Sequence, residues 1–255
     1  MAAADDLEKY RAPALDKGLD ILELLAMADT GLSQAEIAKA LDRTPNEIYR
    51  MLDRLVRRGY VMRTPSDRYE VTLKLFELAH ARPPLQRLIA QAMPVMRRFA
   101  RKAQQASHLA IYDRGALVVA AQVDGPGYWN VSIRIGSRIS LVETGSGHVT
   151  LAFATRDERR LMLEEQDPPE RLTPALEERL ARVRQQGFEN MPSKQVTGVS
   201  NLSVPILGPM GRVLAVFTCP YSERLDTKDA PDRETVLKMV IAHAEEISQS
   251  RSGGL

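Results

Sequence analysis

The sequence predicts an α+β protein of two domains: an N-terminal helical unit closed by a β-hairpin, and a C-terminal domain that mixes strands and helices behind a linker helix. Two observations predict this division. Two helix-start signals lie eleven residues apart ahead of a short hairpin pattern, whereas the second half alternates strand-like and helix-like segments. A length of 255 residues accommodates two modest domains.

The N-terminal unit is predicted to contain three short helices. Residues 13–28 carry leucines at helical spacing. Ser33 and Glu36 have the spacing of a capping box, which begins a second helix. Thr44 and Glu47 repeat that signal and begin a third. Two short helices joined by a turn of about two residues indicate a helix-turn-helix.

The third helix separates into two faces and leads into the hairpin. Ile48 and Leu52 belong to an apolar stripe, while Arg50 and Arg54 lie away from it. Strand patterns flank a turn within residues 60–71. A helix-turn-helix followed by such a hairpin is typical of a winged helix, in which the hairpin is the wing.

The charge distribution gives this unit a candidate role. The whole chain has a net charge of only +2, but residues 33–68 contain eight Lys or Arg and five Asp or Glu, a local net charge of +3. Taken alone, a basic stripe is most often a solvated helix face. The two capping boxes and the wing favour DNA contact instead.

A recognition helix reads base edges in the major groove from its first turns. Asn46 suits adenine and Arg50 suits guanine, whereas Glu47 can accept from cytosine unless its capping role occupies it. Helix starts and basic side chains suit the phosphate backbone. The predicted DNA-contacting residues are Ser33, Gln34, Arg43, Thr44, Pro45, Asn46, Glu47, Tyr49, Arg50, Arg54, Arg63 and Arg68.

The rest of the chain is predicted to form a linker and a second domain. A helical pattern in residues 73–82 is broken by two prolines, and a helix of residues 85–104 leads onward. Strands are predicted at residues 107–113, 116–123, 131–135, 202–206 and 212–219, and helices at 145–155, 155–166, 176–186 and about 236–247.

Composition excludes several classes of protein. The single cysteine, Cys219, rules out an intramolecular disulfide framework, and we expect it to be buried and inert. We expect no cofactor or metal, since the four histidines are scattered, and we interpret His243 as a core residue. No glycine or serine motif of a nucleotide-binding or triad enzyme is complete. Lacking a signal peptide pattern and a membrane-spanning apolar run, the chain is expected in the cytoplasm.

Several stretches in order resemble the isocitrate-lyase-regulator (IclR) family of bacterial transcription factors. They are RRGYVMRTPSDRYEVT, IRIGSRISLVETGSGHVTLAFA, RQQGFENMPSKQVTGVSNLSVPI and GRVLAVFTC. The resemblance covers residues 13–248. It implies a GAF-like effector domain built on an antiparallel sheet, and homodimers or dimers of dimers. The corresponding domains are a winged helix-turn-helix at 1–73, a linker helix at 74–90 and an effector-binding and oligomerisation domain at 91–255.

The segment Gly145-Ser146-Gly147 allows two interpretations. It is either a plain helix cap or an anion site made of free N–H groups. The resemblance favours the second, because the family places an acid group at this turn, although the family commonly has lysine at position 148. The resemblance, together with the position of Trp129 beside Tyr128, implies a set of effector-binding residues. They are Tyr128, Trp129, Val131, Ile139, Gly145, Ser146, Gly147, Met191, Asn201 and Thr218.

Further features bear on the nature of the effector. Tyr128, Trp129, Met191 and Phe217 favour an aromatic or longer organic acid over a very small keto acid. Some sugar-acid or keto-acid sensors of the family have an acidic residue in place of Met191. Trp129, the only tryptophan, suits either a lid or a subunit contact. The arginines at 134 and 138 allow two interpretations: counter-ions for a carboxylate, or residues on a solvated face, which strand alternation favours.

The sequence thus predicts a sequence-specific DNA-binding regulator, a repressor by family expectation, controlled by a small organic acid. Its partners would be double-stranded operator DNA, the acid and further copies of the chain. Two alternatives remain. One is a DNA-binding protein whose C-terminal domain only oligomerises. The other is an enzyme with a DNA-binding appendage, which the lack of an acid/base cluster in the sequence disfavours.

Overall fold

The computed structural model describes residues 12–227 and 229–250. The chain forms two compact units that divide between Gln86 and Arg87, within a helix of residues 83–103. We call them the N-terminal unit and the C-terminal unit and describe each by itself. Among the described residues, no helix combines the length and the apolar character needed to cross a membrane.

The N-terminal unit is a winged helix-turn-helix, as predicted. Ile21, Ile37, Ile48 and Leu52 are fully buried and form its core with Val61 at the base of the hairpin. A bridge between Leu32 and Tyr69 joins the hairpin to the start of the second helix. Its elements are α1 (Pro13–Ala26), α2 (Gln34–Ala40), α3 (Pro45–Arg57), β1 (Val61–Arg63), β2 (Tyr69–Val71) and α4 (Lys74–His80).

Local hydrogen bonds explain where α2 and α3 begin. The Ser33 hydroxyl accepts from the Glu36 N–H at 3.3 Å, and the Glu36 carboxylate accepts from the Ser33 N–H at 2.7 Å. This is the predicted capping box. At the start of α3 the Glu47 carboxylate accepts from both the N–H and the hydroxyl of Thr44. Gly59, with φ of +74°, reverses the chain after α3.

The C-terminal unit is built on one antiparallel sheet of six strands in the order β5-β4-β3-β8-β7-β6. Helices precede, interrupt and follow the strands. The elements are α5 (Pro83–Ala103), β3 (Ser107–Asp113), β4 (Ala116–Val123), β5 (Arg138–Ile139), α6 (Gly145–Phe153), α7 (Arg156–Glu164), α8 (Pro174–Gln186), β6 (Glu189–Pro192), β7 (Val199–Leu207), a 3₁₀ turn (Pro209–Gly211), β8 (Val213–Ser222) and α9 (Arg233–Gln249).

The sheet is covered by helices on both faces. One face packs on α5 and α9, where the rings of Phe99 and Phe217 meet edge to face with centroids 5.2 Å apart. The other face packs on α6 and α8 through a second apolar cluster that includes Leu141, Val149 and Leu180. Successive residues of β8 therefore serve different cores: Val216 belongs to the second cluster, and Phe217 to the first.

The predicted strand at residues 131–135 is wrong. That segment has no strand structure, because the free edge of β4 pairs with Arg138 and Ile139 instead. Gly136, with φ of +86°, turns the chain just before this pairing. The strand β6 was not predicted. Its sequence, ENMP, contains residues that are rare in strands, but β6 lies at the edge of the sheet, where proline is tolerated.

The capping box of α7 provides a test of the local structure away from both candidate sites. The Thr155 hydroxyl accepts from the Glu158 N–H at 3.3 Å, and the Glu158 carboxylate accepts from the Thr155 N–H at 2.9 Å. We expect Thr155→Ala to lower the free energy of unfolding by about 1 kcal/mol, measured by urea denaturation. Thr197→Ala, at an exposed loop position, is the control and should change it by less than about 0.5 kcal/mol.

Candidate DNA interface and candidate effector site

The outer surface of α3 presents a set of polar side chains that are free to bind a ligand. Asn46, Tyr49, Arg50 and Arg54 are exposed, as is Arg43 in the preceding turn. None of their side chains makes a hydrogen bond or ion pair with another residue in the described part of the chain. The buried side chains Ile48 and Leu52 fix the opposite face of the helix. These five side chains therefore form the part of the predicted DNA surface that is both exposed and unpaired within the described residues.

Glu47 has a different position from its neighbours on α3. Its carboxylate accepts from Lys17 of α1 at 2.8 Å, in addition to Thr44. Hydrogen bonds lower the pKa of Glu47 to about 2, with the largest effect from Lys17 and smaller effects from Thr44. The contact joins the start of α3 to α1. Since three donors occupy this carboxylate, we assign Glu47 to positioning the helix rather than to contacting a cytosine.

Three further predicted residues also hold the helices in place. The Gln34 side-chain amide donates to the Pro45 carbonyl at 2.9 Å, which joins the starts of α2 and α3. Arg68 of the wing donates to the Glu36 carboxylate at 2.8 Å and to the Gly31 carbonyl. Ser33 caps α2. The sequence identified these residues as members of the site, but the structure gives them positioning contacts within the N-terminal unit.

The wing and the first turn of α3 complete the predicted surface. Arg63 lies exposed on β1 in an ion pair with Asp67 of the hairpin turn, and its guanidinium is 5.9 Å from the centre of the Tyr69 ring. Thr44 and Pro45 are exposed at the helix start. An exposed ion pair of this kind adds little stability and leaves the Arg63 side chain accessible to a phosphate.

The C-terminal unit contains a cavity of about 510 Å³ on the sheet face that also carries α6. This volume lies in the range of small-molecule binding sites. Its floor comes from β3, β7 and β8, and its sides from segments 131–140 and 193–199 and from the start of α6. Six of the ten predicted effector-binding residues line it, together with Pro220: Val131, Ile139, Gly145, Ser146, Asn201 and Thr218.

The other four predicted residues lie outside the cavity lining. Met191 is buried, and the Gly147 N–H donates to the Thr144 hydroxyl at 3.1 Å as part of the helix cap. Any Cβ at Gly147 would lie 2.1 Å from the Leu141 carbonyl oxygen, so this glycine permits a close packing of the chain. Tyr128 and Trp129 are exposed and line a separate hollow of about 240 Å³.

These placements remove one argument about the effector. Phe217 belongs to the core on the other face of the sheet, and Tyr128, Trp129 and Met191 do not reach the cavity. The apolar part of the lining is aliphatic instead, from Val131, Ile133, Ile139, Val196 and Val199. Serine, threonine and amide side chains make up much of the rest. The aromatic residues of the sequence therefore give no support for an aromatic effector over an aliphatic one.

The start of α6 supplies hydrogen-bond donors to the cavity. Gly145 and Ser146 are buried there, and their N–H groups have no acceptor among the described residues. The positive end of the helix dipole adds to these donors. The Ser146 hydroxyl is 2.9 Å from the Thr218 hydroxyl on the sheet. The arrangement can bind a carboxylate.

The charge of the lining also favours an anion. Arg134 and Arg138 are the charged side chains among the described residues that line the cavity, and no carboxylate lines it. Arg138 donates to the Asp113 carboxylate and to the carbonyls of Asp113 and Arg114, which fixes its position. Arg134 makes no side-chain hydrogen bond with the described residues. Both arginines are exposed, as the sequence predicted, but they also border the cavity.

A row of polar side chains crosses the sheet beneath α6. Gln122 pairs in register with His108, His108 with Thr218, Thr218 with Ser203, and Ser203 with Glu189, on five successive strands. Thr218 donates to the Ser203 hydroxyl at 2.9 Å. We call these five residues the polar row. Sequence reasoning identified only Thr218, because the other members become neighbours through strand pairing.

A buried ion pair lies at one end of the polar row. The Glu189 carboxylate is 2.7 Å from Arg179 Nε of α8 and 2.9 Å from His148 Nδ1 of α6. The Nε2 of His148 is 2.9 Å from the Val142 carbonyl oxygen. Burial would raise the pKa of Glu189, but the hydrogen bonds from His148 and Arg179 outweigh it and hold the pKa at about 2. Position 148 thus stabilises the domain from outside the cavity lining.

Two residues interpreted as structural lie in the core of the C-terminal unit. Cys219 is fully buried, and burial raises the pKa of its thiol far above the usual range. His243 packs edge to face on Phe99, and its Nδ1 is 2.6 Å from the Met239 carbonyl oxygen. Each side chain therefore contributes packing rather than a reactive group.

Comparisons with known proteins identify both domains of the chain. Residues 14–65 match the model of the IclR helix-turn-helix domain, and residues 85–249 match the model of the bacterial transcriptional regulator IclR C-terminal domain. The chain is 30% identical over 229 residues to the HTH-type transcriptional regulator KdgR of Escherichia coli, covering 87% of each chain. It is 23% identical to the HTH-type transcriptional repressor AllR of the same species, covering 84% of this chain and 82% of AllR.

Solved structures show the same fold. The IclR protein of Thermotoga maritima superposes with a TM-score of 0.73 at 23% identity, covering 92% of this chain and 97% of that one. An IclR homologue from Microbacterium hydrocarbonoxydans, in complex with 4-hydroxybenzoate, gives 0.77 at 20% identity, covering 94% of this chain and all of that one. The matched relatives are transcriptional regulators and not enzymes. The chain therefore belongs to the IclR family of bacterial transcriptional regulators, with an N-terminal DNA-binding domain and a C-terminal effector domain.

Proposed function

We propose that this protein is a repressor that binds operator DNA through α3 and the wing, and that a small organic acid in the cavity of the C-terminal unit controls it. The observation that carries the second half is the composition of the cavity. Unpaired N–H groups and two arginines line it, and none of the described lining residues is acidic.

The geometry supports one anchoring arrangement for the acid. Its carboxylate accepts from the N–H groups of Gly145 and Ser146 and from the Ser146 hydroxyl, whose proton turns from Thr218 to the acid, with Arg134 contributing charge. The aliphatic walls enclose the remainder of the molecule. The complex of 4-hydroxybenzoate with the Microbacterium hydrocarbonoxydans homologue supports an organic acid as the class.

Thermodynamic linkage gives the repressor proposal a measurable consequence. An acid that prefers the DNA-free state must weaken DNA binding by the same factor by which DNA weakens the acid, typically about 5–150-fold. The relative AllR, a transcriptional repressor, supports this direction. An acid that tightens operator binding would point to a co-repressor or an activator instead.

The experiment is a fluorescence anisotropy titration with DNA from upstream of the protein's own gene, with salt varied and a panel of aromatic and aliphatic acids added. We expect tight, salt-sensitive binding that at least one acid weakens. Tight binding that no acid changes would favour a C-terminal domain that only oligomerises. Binding equal to that of an unrelated DNA fragment would contradict the recognition-helix assignment.

We also propose a homodimer or a dimer of dimers. Helix α4 has no buried residue and exposes Leu75, Phe76 and Leu78, which favours burial against a second copy. Two recognition helices would then read half-sites about 34–36 Å apart, or a multiple of that. We expect Phe76→Glu to lower the molar mass measured by light scattering, whereas Glu77→Gln on the same helix should leave it unchanged.

The acid anchor has its own test. We expect Ser146→Ala to weaken the binding of any acid that binds the wild-type protein by about 10- to 100-fold, because one hydrogen bond to a charged group contributes about 1.5–3 kcal/mol. Isothermal titration calorimetry measures the change. Ser200→Ala is the control, because Ser200 lies on strand β7 next to the lining residue Asn201 but does not itself line the cavity. Equal losses in both variants would contradict the anchor.

A further inference from the structure

His108 is a buried polar residue whose ring nitrogens form no hydrogen bond with the described residues. Only 1% of its surface is exposed, yet neither Nδ1 nor Nε2 has a partner among the described residues. The side chain lines the 510 Å³ cavity. Most buried polar groups in proteins are paired, and an unpaired one costs stability. Because the side chain borders a ligand-sized cavity, a ligand there can pair with the ring once a nitrogen turns toward the cavity.

The position of His108 relates it to the acid anchor. It lies directly across the β3–β8 pairing from Thr218, whose hydroxyl is 2.9 Å from that of Ser146. One small molecule in the cavity can therefore meet both the start of α6 and the imidazole.

The chemistry of the ring limits what it can bind. Burial lowers the pKa of His108 to about 4, so the imidazole is neutral near pH 7. A neutral imidazole has one donor nitrogen and one acceptor nitrogen. A hydroxyl group both donates and accepts, so it satisfies either nitrogen. A neutral imidazole offers no positive charge to a second carboxylate.

We propose that His108 determines effector specificity by hydrogen bonding to a hydroxyl of the bound acid, so that the effector is a hydroxy acid. The inference rests on the proposed function, since it assumes that an organic acid occupies the cavity. It adds the second functional group of that acid and the residue that recognises it. The ligand hydroxyl pairs one of the two ring nitrogens and so reduces the cost of burying them without partners.

The test uses pairs of acids that differ by one hydroxyl group. Calorimetry would compare benzoate with 4-hydroxybenzoate and 3-hydroxybenzoate, and hexanoate with 6-hydroxyhexanoate, at pH 7. We expect at least one hydroxy acid to bind wild-type protein about tenfold or more tightly than its parent acid. In His108→Leu that ratio should fall to about 1, and His108→Asn, which keeps a donor and an acceptor, should retain part of it.

A matched control and a second measurement separate specificity from folding. Gln122→Leu removes the neighbouring member of the polar row, which lies outside the cavity lining, and should leave the ratio unchanged. In the absence of acid, His108→Leu should raise the melting temperature of the protein, because it replaces an unpaired buried polar group with an apolar one. A variant that loses both stability and binding would contradict the proposal.

The outcomes also distinguish the two levels of inference. If Ser146→Ala weakens the acids but His108→Leu leaves the hydroxyl preference intact, the anchor stands and the role of His108 is wrong. The same conclusion follows if a dicarboxylate such as adipate is preferred to every hydroxy acid and loses that preference in His108→Leu. If no acid in the panel binds wild-type protein, the organic-acid effector is itself wrong and the inference fails with it.

Discussion

Replacing Glu189 with alanine is expected to destabilise the C-terminal unit by about 3–5 kcal/mol, because it removes one partner of a buried ion pair. The Glu189 side chain is only 4% exposed and accepts from both Arg179 and His148. Without it, two donors that can carry positive charge face each other with no carboxylate between them. Urea denaturation followed by circular dichroism measures the loss.

A graded series of variants tests this explanation. Glu189→Gln keeps an acceptor but removes the charge, so we expect a smaller loss of stability than for alanine. Glu178→Ala, at an exposed position on α8, should change the free energy of unfolding by less than about 0.5 kcal/mol. If Glu189→Ala resembles Glu178→Ala, the network does not stabilise the domain.

The same carboxylate predicts a direction of pH dependence. Its pKa is about 2 in the folded protein, below the ordinary value of 4.5. A lowered folded pKa stabilises the protein above pH 4.5, and that stabilisation is lost as the pH falls from 4.5 through 2. We therefore expect wild-type protein to lose more stability than Glu189→Gln between pH 5 and pH 2.

The N-terminal unit could be predicted almost completely, because its determinants are local. Ser33 and Glu36 are three residues apart, and the capping bonds that they make need no distant partner. The apolar stripe of α3 is visible at helical spacing. The sequence could not show which of the predicted DNA-contacting side chains are held by other residues of the same unit. Lys17 binds Glu47 across 30 positions, and Arg68 binds Glu36 across 32.

The cavity was harder to predict, because strand pairing assembles it. His108 and Thr218 are 110 positions apart and become neighbours only when β3 pairs with β8. Nothing adjacent to His108 in the sequence distinguishes it from a packed core histidine. The resemblance identified the start of α6 and one wall, but it also included Met191, whose side chain is buried beside the cavity rather than in its lining.

Replacing Arg50 with alanine is expected to weaken specific operator binding by about 10- to 100-fold, since one bidentate contact to guanine is worth about 1–3 kcal/mol. Arg50 is exposed on α3, and its guanidinium has no partner among the described residues. A base contact and a phosphate contact would produce different results. Loss of a base contact lowers the ratio of specific to non-specific binding, whereas loss of a phosphate contact weakens both.

Anisotropy titrations at several salt concentrations separate these cases. Arg50→Ala should lower affinity for the operator and leave affinity for unrelated DNA nearly unchanged. Arg54→Ala should weaken both and reduce the salt slope by about 1, as expected for a phosphate contact. Arg57, paired with Asp53 near the end of α3, is the control, and its alanine variant should bind like wild type.

Because Glu47 fixes the start of α3 through Lys17, Lys17→Ala should reproduce part of the Arg50 defect without removing any group that touches DNA. Full affinity in Lys17→Ala would mean that the capping of α3 by Thr44 and Glu47 alone sets the position of the recognition helix.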